Sequence, residues 1–199
     1  MPIKIITTED GSHSLYDEEL NETYHSTRGA RGESMHVFIK EGLEFWCSNH
    51  LAEEIRILEI GLGTGLNAFL TAQIAQANNQ KIHFTSLEPF PIDEEIYQNL
   101  NYHESDSEKV LMLSIHESEW EKVLSLDSNF KLHKYTSRLE HFETSNHFDL
   151  IYFDAFAPNK QPEVWSLDNL KKCASMLGKG GVLTTYCAQG QFKRKQAEA

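Results

Sequence analysis

The chain has 199 residues and a formal net charge of −12, and this length fits one α/β domain that buries a core without disulfides or metal. Its cysteines, Cys47, Cys173 and Cys187, form no CxxC pair, and its ten histidines show no HExxH spacing. We therefore expect no metal site and no redox centre, but a reduced, cytoplasmic protein. The first residues form no long apolar stretch, so we also expect neither a signal peptide nor a membrane span.

The charge is distributed unevenly along the sequence. Residues 86–150 contain 5 basic and 14 acidic side chains, whereas residues 154–199 contain 7 basic and 4 acidic ones. A polyanion such as RNA would therefore meet the C-terminal segment and the loop that carries Arg28 and Arg31. The alternative is a solvated acidic surface with no role in nucleic-acid binding.

The first 50 residues predict an N-terminal extension made of a hairpin and a helix. Two β-prone runs, 4–8 and 13–16, flank an Asp10-Gly11 pair, which is a strong turn signal. In residues 33–48, apolar side chains recur at roughly helical spacing. We expect this helix to pack on the core.

From residue 51 onwards, apolar strands alternate with helices, and no linker or repeat divides the chain. The pattern predicts strands at 55–60, 82–87, 130–135, 149–154 and 181–187, and helices near 66–77, 93–101, 108–126 and 167–177. Strands that are apolar throughout indicate a mostly parallel, twisted sheet with helices on both faces. We therefore predict a Rossmann-like α/β fold in a single domain, 1–199, whose ligand lies beyond the carboxyl ends of the strands.

The glycine-rich stretch RILEIGLGTGLN follows the first of these strands. A dinucleotide fingerprint requires G-x-G-x-x-G, but here the glycines are Gly61, Gly63 and Gly65, and Leu66 stands where the third would fall. We expect the Glu59 carboxylate at the mouth of the loop, where it would repel a pyrophosphate and attract a cation. The E-x-G-x-G-x-G pattern resembles the cofactor loop of class I S-adenosylmethionine-dependent methyltransferases, and that resemblance implies contacts from Thr64 and Asn67 as well.

Two further strand ends are candidates for cofactor binding. Glu88 follows the second strand, where a carboxylate can take both ribose hydroxyls, although it could also be an ordinary strand-end carboxylate. After the third strand, related methyltransferases often present an acid to the adenine, whereas this chain has Tyr135-Thr136-Ser137. Either Thr136 or Ser137 replaces that acid through a hydroxyl or backbone contact, or the pocket is weakened.

The stretch FDAFAPNKQPEVW contains the catalytic candidate, Asp154, at the end of the fourth strand. Methyl transfer to an amine requires a free lone pair, and a carboxylate can take the proton of the amine or orient it. Phe156 and Pro158 could flank a planar substrate. The alternative for Asp154 is a helix cap or a strand-end ion pair.

Together these motifs resemble the methyltransferase domain of the bacterial tRNA 5-methylaminomethyl-2-thiouridine biosynthesis enzymes. The resemblance extends over residues 10–43, 57–67, 86–92, 148–165 and 178–194, and the first and fourth of these blocks are the specific ones. It implies N-methylation of the 5-aminomethyl group on the wobble uridine of tRNA. It also implies that Tyr24, His25, Ser26 and Gly29 lie at the substrate mouth and that Glu33 lies nearby, while Arg28 and Arg31 could contact phosphates.

The same resemblance implies that two parts found in related enzymes, a flavin oxidase half and a final strand pair, are missing from this chain. Some members carry a fused flavin oxidase half, which is absent here, so we expect no FAD, no NAD and a separate oxidoreductase that acts upstream. Relatives continue into a final antiparallel strand pair, whereas this chain ends at Ala199. We therefore expect that pair to be missing and the strand at 181–187 to be a sheet edge.

Two other interpretations of the sequence remain. An aminopropyltransferase of the spermidine synthase type shares the glycine loop and the acids after the second and fourth strands, and an acidic protein suits a polyamine. A truncated, non-catalytic remnant of the methyltransferase family is the other. A dehydrogenase is disfavoured because the glycine spacing does not match.

Overall fold

The computed structural model describes residues 3–187, and it begins with a small three-stranded sheet. Strands β1 (Ile3–Thr7) and β2 (His13–Asp17) pair in antiparallel fashion, and β3 (Glu22–Thr23) adds to β2. In the turn, Asp10 Oδ1 accepts hydrogen bonds from Thr8 Oγ1 at 2.7 Å and from the Ser12 amide at 3.0 Å. The predicted hairpin is confirmed.

A continuous helical run follows and packs on the main core. It consists of α1 (Ala30–Ser34), a π-helical segment (Met35–Glu44) and α2 (Phe45–Asn49). Phe38, Ile39, Leu43 and Trp46 are buried on its inner face, at the spacing that predicted a helix. The widened π turn was not predicted, because hydrophobic periodicity does not distinguish it from an α-helix.

The main sheet has six strands in the order β6-β7-β5-β4-β8-β9. These strands are β4 (Glu54–Ile60), β5 (Lys81–Leu87), β6 (Val123–Ser125), β7 (Phe130–Tyr135), β8 (Phe148–Phe153) and β9 (Leu177–Thr184). All neighbours pair in parallel except β6, which is antiparallel to β7. The strand order reverses between β4 and β8, so a ligand crevice is expected at their carboxyl ends.

Helices cover both faces of this sheet. The helical run, α3 (Leu66–Ala77) and α5 (Asp106–Glu117) pack on one face, and α6 (Leu167–Met176) with a short 3₁₀ turn (Leu139–His141) packs on the other. The predicted α/β, Rossmann-like architecture is therefore confirmed. Within residues 3–187, no helix combines the length and the apolar character needed to cross a membrane.

Three predicted elements have bounds that differ from those in the structure. The helix expected at 93–101 is only the short α4 (Glu94–Tyr97), and the helix expected at 108–126 ends at Glu117. Ser118 leaves the helical conformation, Glu121 has a φ of 61° and the chain returns as β6. The exposed residues of β6 pair with β7 instead of covering the core. The last strand was expected at 181–187 but runs from Leu177 to Thr184, so it both begins and ends earlier than predicted.

The predictions for the C-terminal end concern the last strand and the segment that follows it, and part of that segment lies outside the described residues. Strand β9 is the outermost strand on its side of the described sheet. The segment QFKR, at residues 191–194, lies outside the part of the chain that the structure describes.

Candidate active site

A cavity of about 300 Å³ lies at the carboxyl ends of the parallel strands. Its walls come from the loops after β4, β5, β7 and β8, together with residues of the N-terminal extension. Ionisable side chains are frequent among its lining residues: Asp17, Glu19, Glu88, Arg138, Glu140, Asp154, Lys160 and Glu163. Because acids outnumber bases, the cavity suits a positively charged ligand better than a phosphate.

The glycine loop forms the floor of this cavity in a backbone conformation that glycine favours. Gly61, Gly63 and Gly65 have φ values of 93°, 50° and 73°, which side chains with a Cβ rarely adopt. A Cβ on Gly61 would lie 2.7 Å from the Asp154 carbonyl oxygen, and one on Gly63 would lie 3.1 Å from Tyr24 Cδ1. The loop thus lines the cavity with bare backbone and packs against Asp154 on one side and Tyr24 on the other.

Glu88 joins the glycine loop to the end of β5. Its Oε2 accepts a hydrogen bond from the Gly63 amide at 3.0 Å, and its Oε1 accepts one from the Phe90 amide at 2.8 Å. Burial raises the pKa of Glu88, and these backbone hydrogen bonds oppose that rise. Glu88 therefore fixes the loop while its carboxylate still lines the cavity, and its contact with a ribose remains a prediction.

Asp154 lines the cavity just beyond β8. Its amide donates to the Ile60 carbonyl oxygen at 3.0 Å, and its Oδ2 accepts a hydrogen bond from Asn67 Nδ2 at 2.8 Å. Burial, together with the nearby Glu33 carboxylate, raises the pKa of Asp154 to about 7, against the lowering effect of Asn67. A carboxyl group with this pKa can accept or release a proton at neutral pH.

The N-terminal extension supplies the opposite wall. The rings of Tyr24 and Phe156 meet edge to face at 4.9 Å, and both line the cavity. His25 is buried, its Nδ1 lies 3.2 Å from Ser14 Oγ, and burial lowers its pKa to about 4. His25 is therefore a neutral, fixed part of the wall at physiological pH.

One lysine ties this extension to the loop after β8. Lys160 Nζ donates hydrogen bonds to the Leu20 carbonyl oxygen at 2.6 Å and to the Asn21 carbonyl oxygen at 3.0 Å. Lys160 also lines the cavity. The two walls are thus held together by a charge-assisted contact.

Four predicted cofactor residues do not line the cavity: Glu59, Gly65, Asn67 and Thr136. Their contact with a cofactor remains a prediction. Thr136 is exposed and outside the cavity, because its amide turns away to bond Glu121 Oε1 at 2.9 Å. Residues 137–140 line the cavity in its place. Glu59 is 0% exposed and lies inside the sheet, with Ser86 Oγ donating to its Oε2 at 2.6 Å, so its carboxylate is not at the mouth of the loop.

Several predicted substrate residues also lie away from the cavity lining. These residues are Ser26, Arg28, Gly29, Arg31 and Pro158. Arg31 Nη1 donates to the Tyr102 carbonyl oxygen at 2.8 Å, and a Cβ on Gly29 would overlap Asp10 Oδ2 at 2.4 Å. Arg31 and Gly29 thus have structural contacts, while Arg28 is exposed. Their contact with a substrate remains a prediction.

Several residues that the structure brings to the cavity were not predicted from the sequence. Asp17 and Glu19 come from the hairpin, Arg138 and Glu140 from the turn after β7, and Tyr186 from beyond β9. Arg138 also lies over the Phe90 ring, 5.3 Å from its centroid. Only the position of Arg138 and Glu140 soon after a parallel strand could have indicated a role.

Comparisons with known proteins show what the chain is similar to. Residues 104–199 match the sequence model of a family described as S-adenosyl-L-methionine-dependent methyltransferase. The tRNA 5-methylaminomethyl-2-thiouridine biosynthesis bifunctional protein MnmC of Campylobacter concisus is 28% identical over 87% of this chain and 29% of its own length. The protein of the same name from Leptospira interrogans is 31% identical over 85% of this chain and 28% of its own.

The solved structures give the same fold. The crystal structure of MNMC2 from Aquifex aeolicus superposes with a TM-score of 0.80 at 24% identity, and the match covers 98% of this chain and 63% of that one. The chain spans less than a third of the length of the two curated relatives. In the range 3–187, no group of three or more His, Cys, Asp or Glu side chains is arranged to hold a metal ion.

Proposed function

Because the chain belongs to the MnmC-like S-adenosyl-L-methionine-dependent methyltransferases, we propose that it methylates the primary amine of a 5-aminomethyl group on the wobble uridine of tRNA. The observation that carries this proposal is the Asp154 carboxyl group, which faces the cavity with its pKa raised to about 7 by burial. A base at that position suits an amine acceptor, which needs to lose a proton.

The cavity residues fit S-adenosylmethionine. Gly61 and Gly63 line the cavity without side chains, and Glu88 stands where a ribose would be held. The excess of acids matches a ligand that carries a sulfonium and an ammonium but no phosphate. When bound, this cofactor supplies a methyl group on a positively charged sulfur.

The chain's own residues then act on the acceptor. An amine that enters as an ammonium gives a proton to the ionised Asp154, and its freed lone pair would accept the methyl group that the bound cofactor supplies. The product is a secondary ammonium beside a neutral Asp154, whose proton returns to water. Asn67 holds the Asp154 carboxylate in one orientation, so its free oxygen lone pairs can face the amine.

The tRNA substrate is inferred from the names of the relatives, which describe a bifunctional protein of tRNA 5-methylaminomethyl-2-thiouridine biosynthesis. The edge-to-face pair of Tyr24 and Phe156 offers apolar surface for a base taken out of its stack. Exposed Arg28 supplies a phosphate contact on the same loop. We also propose a cytoplasmic location, and an upstream oxidoreductase that produces the free amine.

A second candidate function is aminopropyl transfer to a polyamine, because the acid-rich cavity would also attract a polycation. The alternative is tested by incubating the protein with decarboxylated S-adenosylmethionine and putrescine. Formation of spermidine without any tRNA methylation would refute tRNA methylation and support aminopropyl transfer as the function.

The direct test uses tRNA that carries 5-aminomethyl groups, purified from cells that lack the methylation step, and S-adenosylmethionine labelled in its methyl group. We expect label at the wobble uridine, and Asp154→Asn should retain cofactor affinity in calorimetry but lose at least 100-fold in rate. Asp93→Asn, at an exposed residue outside the cavity, is the matched control. Cofactor binding without transfer to this tRNA would refute the assigned acceptor.

A further inference from the structure

The glycine loop borders two cavities. The first is the cavity described above, and the second, of about 310 Å³, lies next to α4 and α5. Leu62, Gly63 and Glu88 line both of them. Because open space borders the loop in two places, side-chain packing alone leaves its position poorly fixed. The hydrogen bonds to its backbone therefore decide where the loop lies.

His116 supplies one of these hydrogen bonds from outside the cavity described above. It stands near the C-terminal end of α5 and lines the second cavity. Its Nε2 lies 3.0 Å from the Thr64 carbonyl oxygen. Thr64 is only 1% exposed, and a buried carbonyl oxygen is normally paired. The methyl-transfer step described above gives His116 no part.

The acceptor fixes the direction of this hydrogen bond. A carbonyl oxygen only accepts, so the proton of the contact belongs to His116 Nε2. Burial lowers the pKa of His116 to about 4, and the bond to Thr64 opposes that change. At pH 7 the imidazole is therefore neutral, with its single N–H at Nε2.

Three contacts hold His116 in one orientation. The Tyr97 ring of α4 stacks on the imidazole, with ring centroids 4.6 Å apart and planes at 2°. Lys134 Nζ, from β7, donates to the His116 carbonyl oxygen at 2.7 Å. On the loop side, a Cβ on Gly65 would lie 3.0 Å from His116 Nε2. The loop backbone thus packs directly against an imidazole that α4 and β7 keep in place.

We propose that His116 is a positioning residue for the glycine loop: its Nε2–H holds the Thr64 carbonyl oxygen and keeps Gly63 and Thr64 in the conformation that lines the cavity. This positioning role rests on the function proposed above only in so far as the cavity binds S-adenosylmethionine. A loop that is already ordered loses less conformational entropy when a ligand binds. His116 thus raises cofactor affinity without contacting the cofactor.

Other contacts of the loop stay in place when His116 is replaced. The Thr64 hydroxyl has a different neighbour, since its Oγ1 lies 3.5 Å from His25 Nε2. The Gly63 amide donates to Glu88 Oε2. A change in the loop of a His116 variant can then be assigned to the hydrogen bond of the Thr64 carbonyl oxygen.

Two variants separate this hydrogen bond from the ring. His116→Met and His116→Gln both lose the imidazole and its stacking on Tyr97, but only glutamine retains an N–H donor. Calorimetric titration with S-adenosylmethionine should show about tenfold weaker binding to His116→Met, and an affinity within about threefold of wild type for His116→Gln. His36→Met, at an exposed histidine outside both cavities, is the matched control and should bind as wild type does.

A measurement without ligand separates a local effect on the loop from a weaker fold. The Gly65 amide donates to the Leu62 carbonyl oxygen at 2.8 Å, so its hydrogen exchange reports on the loop. By NMR, this exchange should be about tenfold faster in His116→Met than in wild type or His116→Gln, while the amides of β4 and β5 keep their rates. Equal acceleration of all these amides would overturn the proposal, because His116 would then only stabilise the fold.

Nitrogen-15 NMR of the wild-type imidazoles gives a further check, with His116→Gln to assign the signal. We expect a neutral ring protonated at Nε2. A proton on Nδ1 would overturn the proposal, since Nε2 could not then donate to a carbonyl oxygen. Equal affinity of His116→Met and His116→Gln for S-adenosylmethionine would overturn it as well.

These measurements need no tRNA, so their result does not depend on the acceptor. If His116→Met loses affinity, His116→Gln keeps it and no tRNA is methylated, the proposed function fails and the positioning role stands. If tRNA is methylated but both variants bind the cofactor as wild type does, the positioning role fails and the proposed function stands.

Discussion

Replacing Asp154 by asparagine should stabilise the protein at alkaline pH, even though it removes the proposed base. Burial raises the pKa of Asp154 to about 7, from the ordinary value of 3.8 for an aspartate. The folded state therefore prefers the protonated form. Stability from this group is complete below the unfolded pKa and is lost as pH rises through the folded pKa.

The size of the effect follows from the two pKa values. Each unit corresponds to about 1.4 kcal/mol, so the shift of Asp154 sets a ceiling of about 4 kcal/mol for the cost of its charge. Asp154 lines a cavity that is open to solvent, and solvent screening reduces that cost. We expect Asp154→Asn to be about 2 kcal/mol more stable than wild type at pH 8, with little advantage below pH 4.5.

Urea unfolding monitored by tryptophan fluorescence at several pH values between 4.5 and 8.5 measures this difference. Subtracting the wild-type free energy from that of Asp154→Asn cancels the other titrating groups. Asp93→Asn, at an exposed position where the side chain caps no helix, controls for the general loss of a carboxylate. A difference that does not grow with pH, or a less stable Asp154→Asn at pH 8, would refute the burial argument.

Three further outcomes are expected. Gly63→Ala should weaken S-adenosylmethionine binding about tenfold in calorimetry, because φ at this residue is 50° and a Cβ would lie 3.1 Å from the Tyr24 ring. Gly178→Ala is the control, since a Cβ there would have its nearest neighbour, the Phe148 carbonyl oxygen, at 3.6 Å. Burial lowers the pKa of His116 to about 4, so the folded protein favours the neutral imidazole and becomes less stable as the pH falls. His116→Gln should remove this contribution, and we expect the variant to lose about 1–2 kcal/mol less stability than wild type between pH 7.5 and pH 5 in urea unfolding. Methyl transfer at saturating substrate should rise from pH 6 to 8 as Asp154 ionises, and a flat profile would contradict its part as the base.

Local pattern in the sequence was sufficient for the architecture. Continuous apolar strands, helical periodicity and an Asp-Gly turn depend on neighbouring residues, so the hairpin, the helical run and the parallel strands β4, β5, β7 and β8 were predicted close to their observed bounds. The segment at 118–126 was predicted wrongly, because its conformation depends on pairing with β7 and not on its own periodicity.

The sequence by itself determined the glycine loop, Glu88 and Asp154 as residues of one site, because parallel strands bring their carboxyl ends to the same edge of a sheet. Only the tertiary structure decided where individual carboxyl groups point. It buries Glu59 behind Asp154, turns Thr136 away, and adds Asp17 from the end of β2 and Lys160 from the loop after β8. The sequence pattern determines at the end of which strand a residue lies. The burial and charge state of that residue depend on side chains that come from elsewhere in the fold.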